Sequence, residues 1–215
     1  ASTNSVLVAT VNVRKVVDST LVEKVAGAVL DEGATRTLPN LAKAAGVDLK
    51  KDFERLTVYG AFKPGVKRPE RGVAVFQGQL DPERICALLR MNPQYDISRM
   101  GDLEVHSWTD KGDSTKKYAS FVEKGLLVIA VDQASMEAAL EAVRDKSKSL
   151  AGSPDGELLT RGAADPVFWA RVILPAGSVE LGDPFGLNRV KDLVVSADMD
   201  ESSLSLRVQV RSASA

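Results

Sequence analysis

The chain carries one imidazole, His106, and one thiol, Cys86. Side by side, these two groups make a nucleophile couple, in which the imidazole takes the thiol proton and the thiolate attacks. Their flanking residues argue against that use. From Leu103 to Asp110, Leu and Val alternate with Glu, His and Trp, as in a half-buried strand, which puts His106 on the polar face with Glu104 and Trp108. Cys86 follows Asp81-Pro82-Glu83 on a helix, beside the buried stripe of Ile85, Leu88 and Leu89. The expected pair is an exposed or half-exposed strand His and a small Cys at the core boundary. No Gly-x-Ser-x-Gly elbow supplies a serine nucleophile instead. No catalytic residue is assigned.

One Cys excludes an intrachain disulfide, and one His excludes zinc sites of the Cys/His kinds, so no metal is expected. The acids Asp198, Asp200 and Glu201 imitate the start of a calcium loop. Ser203 stands where its glycine belongs and Gln209 where its closing Glu belongs, so they read as a solvated hairpin turn. No Gly-x-Gly-x-x-Gly follows a strand and no Gly-Lys-Ser/Thr closes a phosphate loop, so no nucleotide or other cofactor is expected. Two carboxylates acting as acid and base remain open, because that chemistry depends on separation in space and leaves no spacing in the sequence.

Three binding features remain. The loop Lys63 to Arg71 holds Lys63, Lys67, Arg68 and Arg71 against Glu70, a local charge of +3 suited to an anion, a glycan or an acidic partner. Trp108, on the polar face of its strand, either lies under a loop or marks a contact surface, since Trp is enriched at interface hot spots. His106 beside it is the third. Nucleic acid is not an expected partner: aromatics are 5% of the chain, none falls in the basic loop, and 28 basic against 29 acidic residues leave a net charge of −1.

The elements that position these residues follow from periodicity. Val6 to Val13, apolar on both faces, reads as an interior strand. Thr20-Leu-Val-Glu23 is a capping box opening a helix that ends near Gly33, and a second short helix follows Leu38-Pro39. Leu56 to Phe62 and Gly72 to Leu80 form a hairpin around the basic loop. Asp81 caps the Cys86 helix, with Pro82 in its first turn. Tyr118 to Glu123 and Leu126 to Val131 flank Lys124-Gly125 as a tight hairpin. Asp132 caps a helix buried through Met136, Ala139, Leu140 and Val143. The polar stretch from Lys146 to Asp165 reads as a linker. A strand from Val167 to Leu174 and a hairpin of Leu193 to Met199 with Leu204 to Val210 close the chain.

The two hairpins with Val/Ala-rich first strands echo each other in pattern, and the first half runs strand, helices, two strands, helix, strand. That order implies an α+β fold: antiparallel sheets with helices packed on one face, in two ferredoxin-like units, residues 1–116 and 117–215, or one continuous domain of 1–215. No apolar run approaches the ~20 residues of a transmembrane helix. The opening Ala-Ser-Thr-Asn-Ser without Met fits either removal of a signal peptide or a chain cut to its folded region, the first being the expectation.

Three segments, Leu49 to Val58, Phe76 to Leu89 (Phe-x-Gly-x-Leu-Asp-Pro-Glu-Arg-Ile-x-Ala-Leu-Leu) and Ala130 to Val143, resemble parts of an uncharacterised family of exported bacterial proteins. The resemblance implies a periplasmic, secreted or cell-envelope location and carries no activity. The expectation is a non-enzymatic binding or structural module that contacts another envelope protein or itself through an exposed sheet edge or a patch around Trp108. A carboxylate hydrolase, or an anion or glycan binder using residues 63–71, stands beside it, with cytoplasmic location as the counterpart.

Overall fold

The computed structural model describes residues 5–17, 48–62, 71–109, 115–145, 166–173, 190–199 and 203–212. Ten strands account for most of them: β1 (Ser5–Asn12), β2 (Phe53–Phe62), β3 (Arg71–Gly78), β4 (Asp96–Met100), β5 (Leu103–Thr109), β6 (Lys116–Glu123), β7 (Leu126–Ala130), β8 (Phe168–Ile173), β9 (Val190–Met199) and β10 (Leu204–Ser212). Four helices are interspersed: α1 (Val13–Val17), α2 (Leu49–Asp52), α3 (Pro82–Arg90) and α4 (Gln133–Arg144). All ten strands belong to one sheet, in the order β10-β9-β8-β1-β2-β3-β7-β6-β5-β4, and every neighbouring pair is antiparallel. The helices expected after Thr20 and Leu38, and the linker at 146–165, lie outside the described residues.

This sheet overturns the expected α+β arrangement of helices packed on one face of ferredoxin-like units. A βαβ crossover joins parallel strands, yet β1 and β2 are antiparallel neighbours over eight residue pairs, from Ser5↔Phe62 to Asn12↔Arg55. Beyond β1 the sheet continues without a break into β8, β9 and β10.

The two longer helices also lie on opposite faces. Along β3, β7, β6 and β5, alternate residues feed two separate clusters. Val105, Val128 and Ala130 pack with Met136 and Leu140 of α4, whereas Ala119 and Leu127 pack with Leu80, Phe76 and Ile85 of α3. Because this half of the sheet is apolar on both faces, each face needs a cover, and one amphipathic helix serves each. Phe53 and Phe76 meet edge to face on the α3 side, ring centroids 5.6 Å apart.

Local chemistry sets the ends of both helices. Asp81 Oδ1 accepts from the backbone N–H groups of Glu83 (3.0 Å) and Arg84 (3.3 Å), with Pro82 in the first turn, where its missing N–H costs nothing. Asp132 Oδ1 accepts from Ser135 N at 2.8 Å, and Ser135 Oγ donates to Asp132 Oδ2 at 2.5 Å. Asp132→Ala is expected to lower stability by about 1 kcal/mol, with Asp132→Asn retaining most of it; urea melts of the three chains provide the comparison. At the other end of α4, Arg144 donates to Met100 O (2.7 Å) and Asp102 Oδ1 (2.5 Å), tying the helix to the β4–β5 turn. Gly101 there has φ +68° and Gly125 in the β6–β7 turn has φ +82°, left-handed conformations that glycine adopts without strain.

Candidate functional site

The covering of the α3 face changes the setting of His106. Instead of facing solvent on a polar strand face, it is 4% exposed, and the expectation of an exposed or half-exposed imidazole is corrected. By residue type the face is polar, carrying Glu104 and His106, but α3 lies over it and brings Cys86 down onto the ring. Cys86 Sγ sits 3.4 Å from His106 Nε2 and is itself buried. Tyr95 closes the other side, its Oη 2.7 Å from Nδ1. The connection carrying Tyr95 is held by Asn92, whose Nδ2 donates to Thr109 O (3.1 Å) and whose Oδ1 accepts from Gln94 N (2.9 Å). The fold thus assembles the Cys–His couple that linear spacing made improbable, and adds a tyrosine that sequence reading missed. Nothing in the Asn-Pro-Gln-Tyr95 run signals a partner for an imidazole.

The electrostatics of the couple are those of a neutral pair. Burial pushes the Cys86 thiol above its ordinary value of 9.0, with Glu104 adding to the rise and Arg90 opposing it. Burial pushes His106 below 6.5, where Glu104 opposes and Arg90 assists. At neutral pH the site therefore holds a thiol and an uncharged imidazole, two hydrogen bonds in line with one proton order or the other. Either the thiol donates to Nε2 and Nδ1–H donates to Tyr95, or the tyrosine donates to Nδ1 and Nε2–H points at sulfur. Thiolate chemistry needs the opposite, a lowered thiol pKa beside a protonated imidazole.

The depressed His106 value has a signed consequence for stability. The unfolded chain takes up the His proton near pH 6.5 while the folded chain resists it, so stability is whole above that value and is lost as pH falls below it. Denaturant midpoints measured between about pH 5 and 8 should fall on the acid side, and His106→Gln should flatten that part of the profile. An unchanged slope in the variant would place the acid sensitivity elsewhere.

Around the couple lies a cavity of about 530 Å³ whose walls include Glu83, Arg90, Asp102, Glu104 and Phe121. A glycosidase-type pair needs one carboxyl held protonated. Asp102 is driven the other way, its carboxyl lowered by its own backbone N–H and by Arg144. A second, polar cavity of about 320 Å³ is lined by Asn12, Arg14, Glu54, Arg55 and Gln77, where Arg14 pairs with Glu54 at 2.8 Å.

The other sequence candidates are dispersed. Trp108 is half-buried on the α3 face, packed into the cluster of Leu80, Ala119 and Leu127, so most of its ring serves the core. Arg71 is the exposed first residue of β3, opposite Ala61. Lys63, Lys67 and Arg68 lie outside the described residues.

The two sheet edges differ sharply. β4 is five residues long and bears Asp96 and Arg99, the short, charged form that discourages further pairing. β10 runs nine residues, Leu-Ser-Leu-Arg-Val-Gln-Val-Arg-Ser, without proline, and among the described residues it pairs on one side, with β9. On one face it exposes Leu206 (66%), Val208 (53%) and Val210 (54%); Arg207, Gln209 and Arg211 alternate on the other. Such an edge is an open template for another strand.

No helix among the described residues is long and apolar enough to cross a membrane. No protein-family model matches the chain, and no curated protein does. Among solved structures, the chain resembles crystal forms IV and III of TP0453, with TM-scores of 0.52 and 0.51 at 7% sequence identity, covering 95% and 97% of this chain and 75% and 76% of those chains. At 7% identity that likeness is one of fold, and it carries no activity across.

Proposed function

We propose that this chain is a non-enzymatic binding module of the bacterial cell envelope and that its working surface is the free edge strand β10. The observation that carries the reading is that edge: a nine-residue strand whose outer side meets no other strand among the described residues, with three large apolar side chains more than half exposed on one face. Strand addition to such an edge supplies main-chain hydrogen bonds for affinity and alternate side chains for specificity. The uncharged state of Cys86 and His106 supports a structural role for the imidazole, which joins α3 to β5 through the thiol and to the 91–95 connection through Tyr95. Export to the envelope rests on the resemblance of residues 49–58, 76–89 and 130–143 to exported bacterial proteins.

The test is photo-crosslinking in living bacteria with a photoreactive amino acid at Gln209 on β10, against Glu137 on α4 as control. The expected result is a discrete adduct from position 209 in the envelope fraction and none from 137. Recovery of the chain in the cytosol, or equal labelling from both positions, would overturn the proposal.

A further inference from the structure

The occupant of this edge can be argued from β10 itself. We infer that β10 pairs antiparallel with β10 of a second copy across a two-fold axis at Val208, joining two ten-stranded sheets into one. This deepens the proposed function and rests on its choice of β10 as the binding surface.

Register decides the matter. With the axis at Val208, all nine residues find a partner: Leu206 faces Val210 and Val208 faces Val208 on one side of the sheet, while Arg207 faces Gln209 and Ser205 faces Arg211 on the other. Moving the axis to Arg207 sets that arginine against itself, and moving it to Gln209 sets Arg207 against Arg211; like charges directly opposite are destabilising. An axis at Leu206 or Val210 pairs only five residues. A one-residue slip puts Val208 opposite Arg207 or Gln209 and breaks the match of apolar with apolar. One arrangement therefore pairs the whole strand and sets no arginine directly opposite another, and it is isologous, so it closes as a dimer and does not propagate.

The apolar face continues inward. Leu206, Val208 and Val210 stand opposite Ala197, Val195 and Leu193 of β9, so the six exposed apolar side chains of two copies would join stripes already present in each. The irregularity in the β9–β10 ladder falls between Arg211 and Ser212, at the end of the strand, and leaves the central pairs undisturbed. At the other edge, the short charged β4 cannot offer a matching strand.

The experiment is sedimentation equilibrium on the full chain with paired charge variants at the axis. The unaltered chain is expected at twice its 23.0 kDa mass. Val208→Lys and Val208→Glu, each alone, should sediment as monomers with unchanged circular dichroism, because Val208 is already half exposed in one chain. An equimolar mixture of the two should recover the dimer, since Lys then meets Glu at the axis. A monomeric unaltered chain, a dimer that survives Val208→Lys, or a mixture that stays monomeric would each overturn self-pairing. If the chain is monomeric but position 209 still crosslinks to a different polypeptide, self-pairing fails while β10 stands as the binding surface. Loss of that crosslink as well takes the functional reading with it.

Discussion

Replacing Arg171 with Met is expected to destabilise the chain by about 3–5 kcal/mol, because it strands a buried carboxylate. Arg171 on β8 and Asp192 on β9 are 4% and 7% exposed. The guanidinium grips the carboxylate in two places, Nε to Oδ1 at 2.7 Å and a terminal nitrogen to Oδ2. Such a bidentate fork satisfies both charges geometrically. Remove the arginine and the Asp192 carboxylate is left buried without its counter-charge. Remove both, as Arg171→Met with Asp192→Leu, and the desolvation penalty disappears with the attraction, so the double variant should recover most of the loss. Denaturant melts of the single and double variants give the coupling directly. A single variant within 1 kcal/mol of the parent would show that water reaches the pair.

Met136→Ala should cost about 2–5 kcal/mol, whereas Met136→Leu should cost less than about 1.5. Met136 is 0% exposed at the centre of the cluster that joins α4 to β5 and β7 through Val105, Val128 and Leu140. Truncation removes the buried methylenes and leaves a hole that Val105 and Val128, fixed on a sheet, cannot collapse to fill. Leu keeps nearly the same volume. Because α4 and α3 cover opposite faces, the loss should leave the Cys86 thiol as slow toward alkylation as before under native conditions. Rapid labelling of Cys86 in Met136→Ala would show that the two faces unfold together.

Local punctuation was legible in the sequence. Asp81-Pro82 and Asp132 announce α3 and α4 because a capping carboxylate and a first-turn proline act on backbone groups within three residues. Gly125 marks the β6–β7 turn for the same reason of range. β4 left no such mark: four of its five residues, Asp96 to Arg99, are exposed, so an edge strand without a buried face shows no alternation. The fold class misled because strand–helix alternation in sequence says nothing of which strands become neighbours. β1 finds β2 and β8, the latter more than 150 residues away, through register and apolar matching.

The site divides in the same way. Composition by itself determined that these 215 residues hold one thiol and one imidazole, and so no disulfide within the chain and no Cys/His zinc site built from it alone, since counting suffices for those. Whether thiol and imidazole meet, and in which charge state, was decided by tertiary structure. α3 crosses the face of β5, buries His106 and half-buries Trp108, while Glu104 on the same face stays exposed. A like alternation on β10, from Leu206 to Val210, is exposed at the sheet edge. A period of two states which side chains share a face, and only the packing of other elements decides whether that face is core, site or open edge.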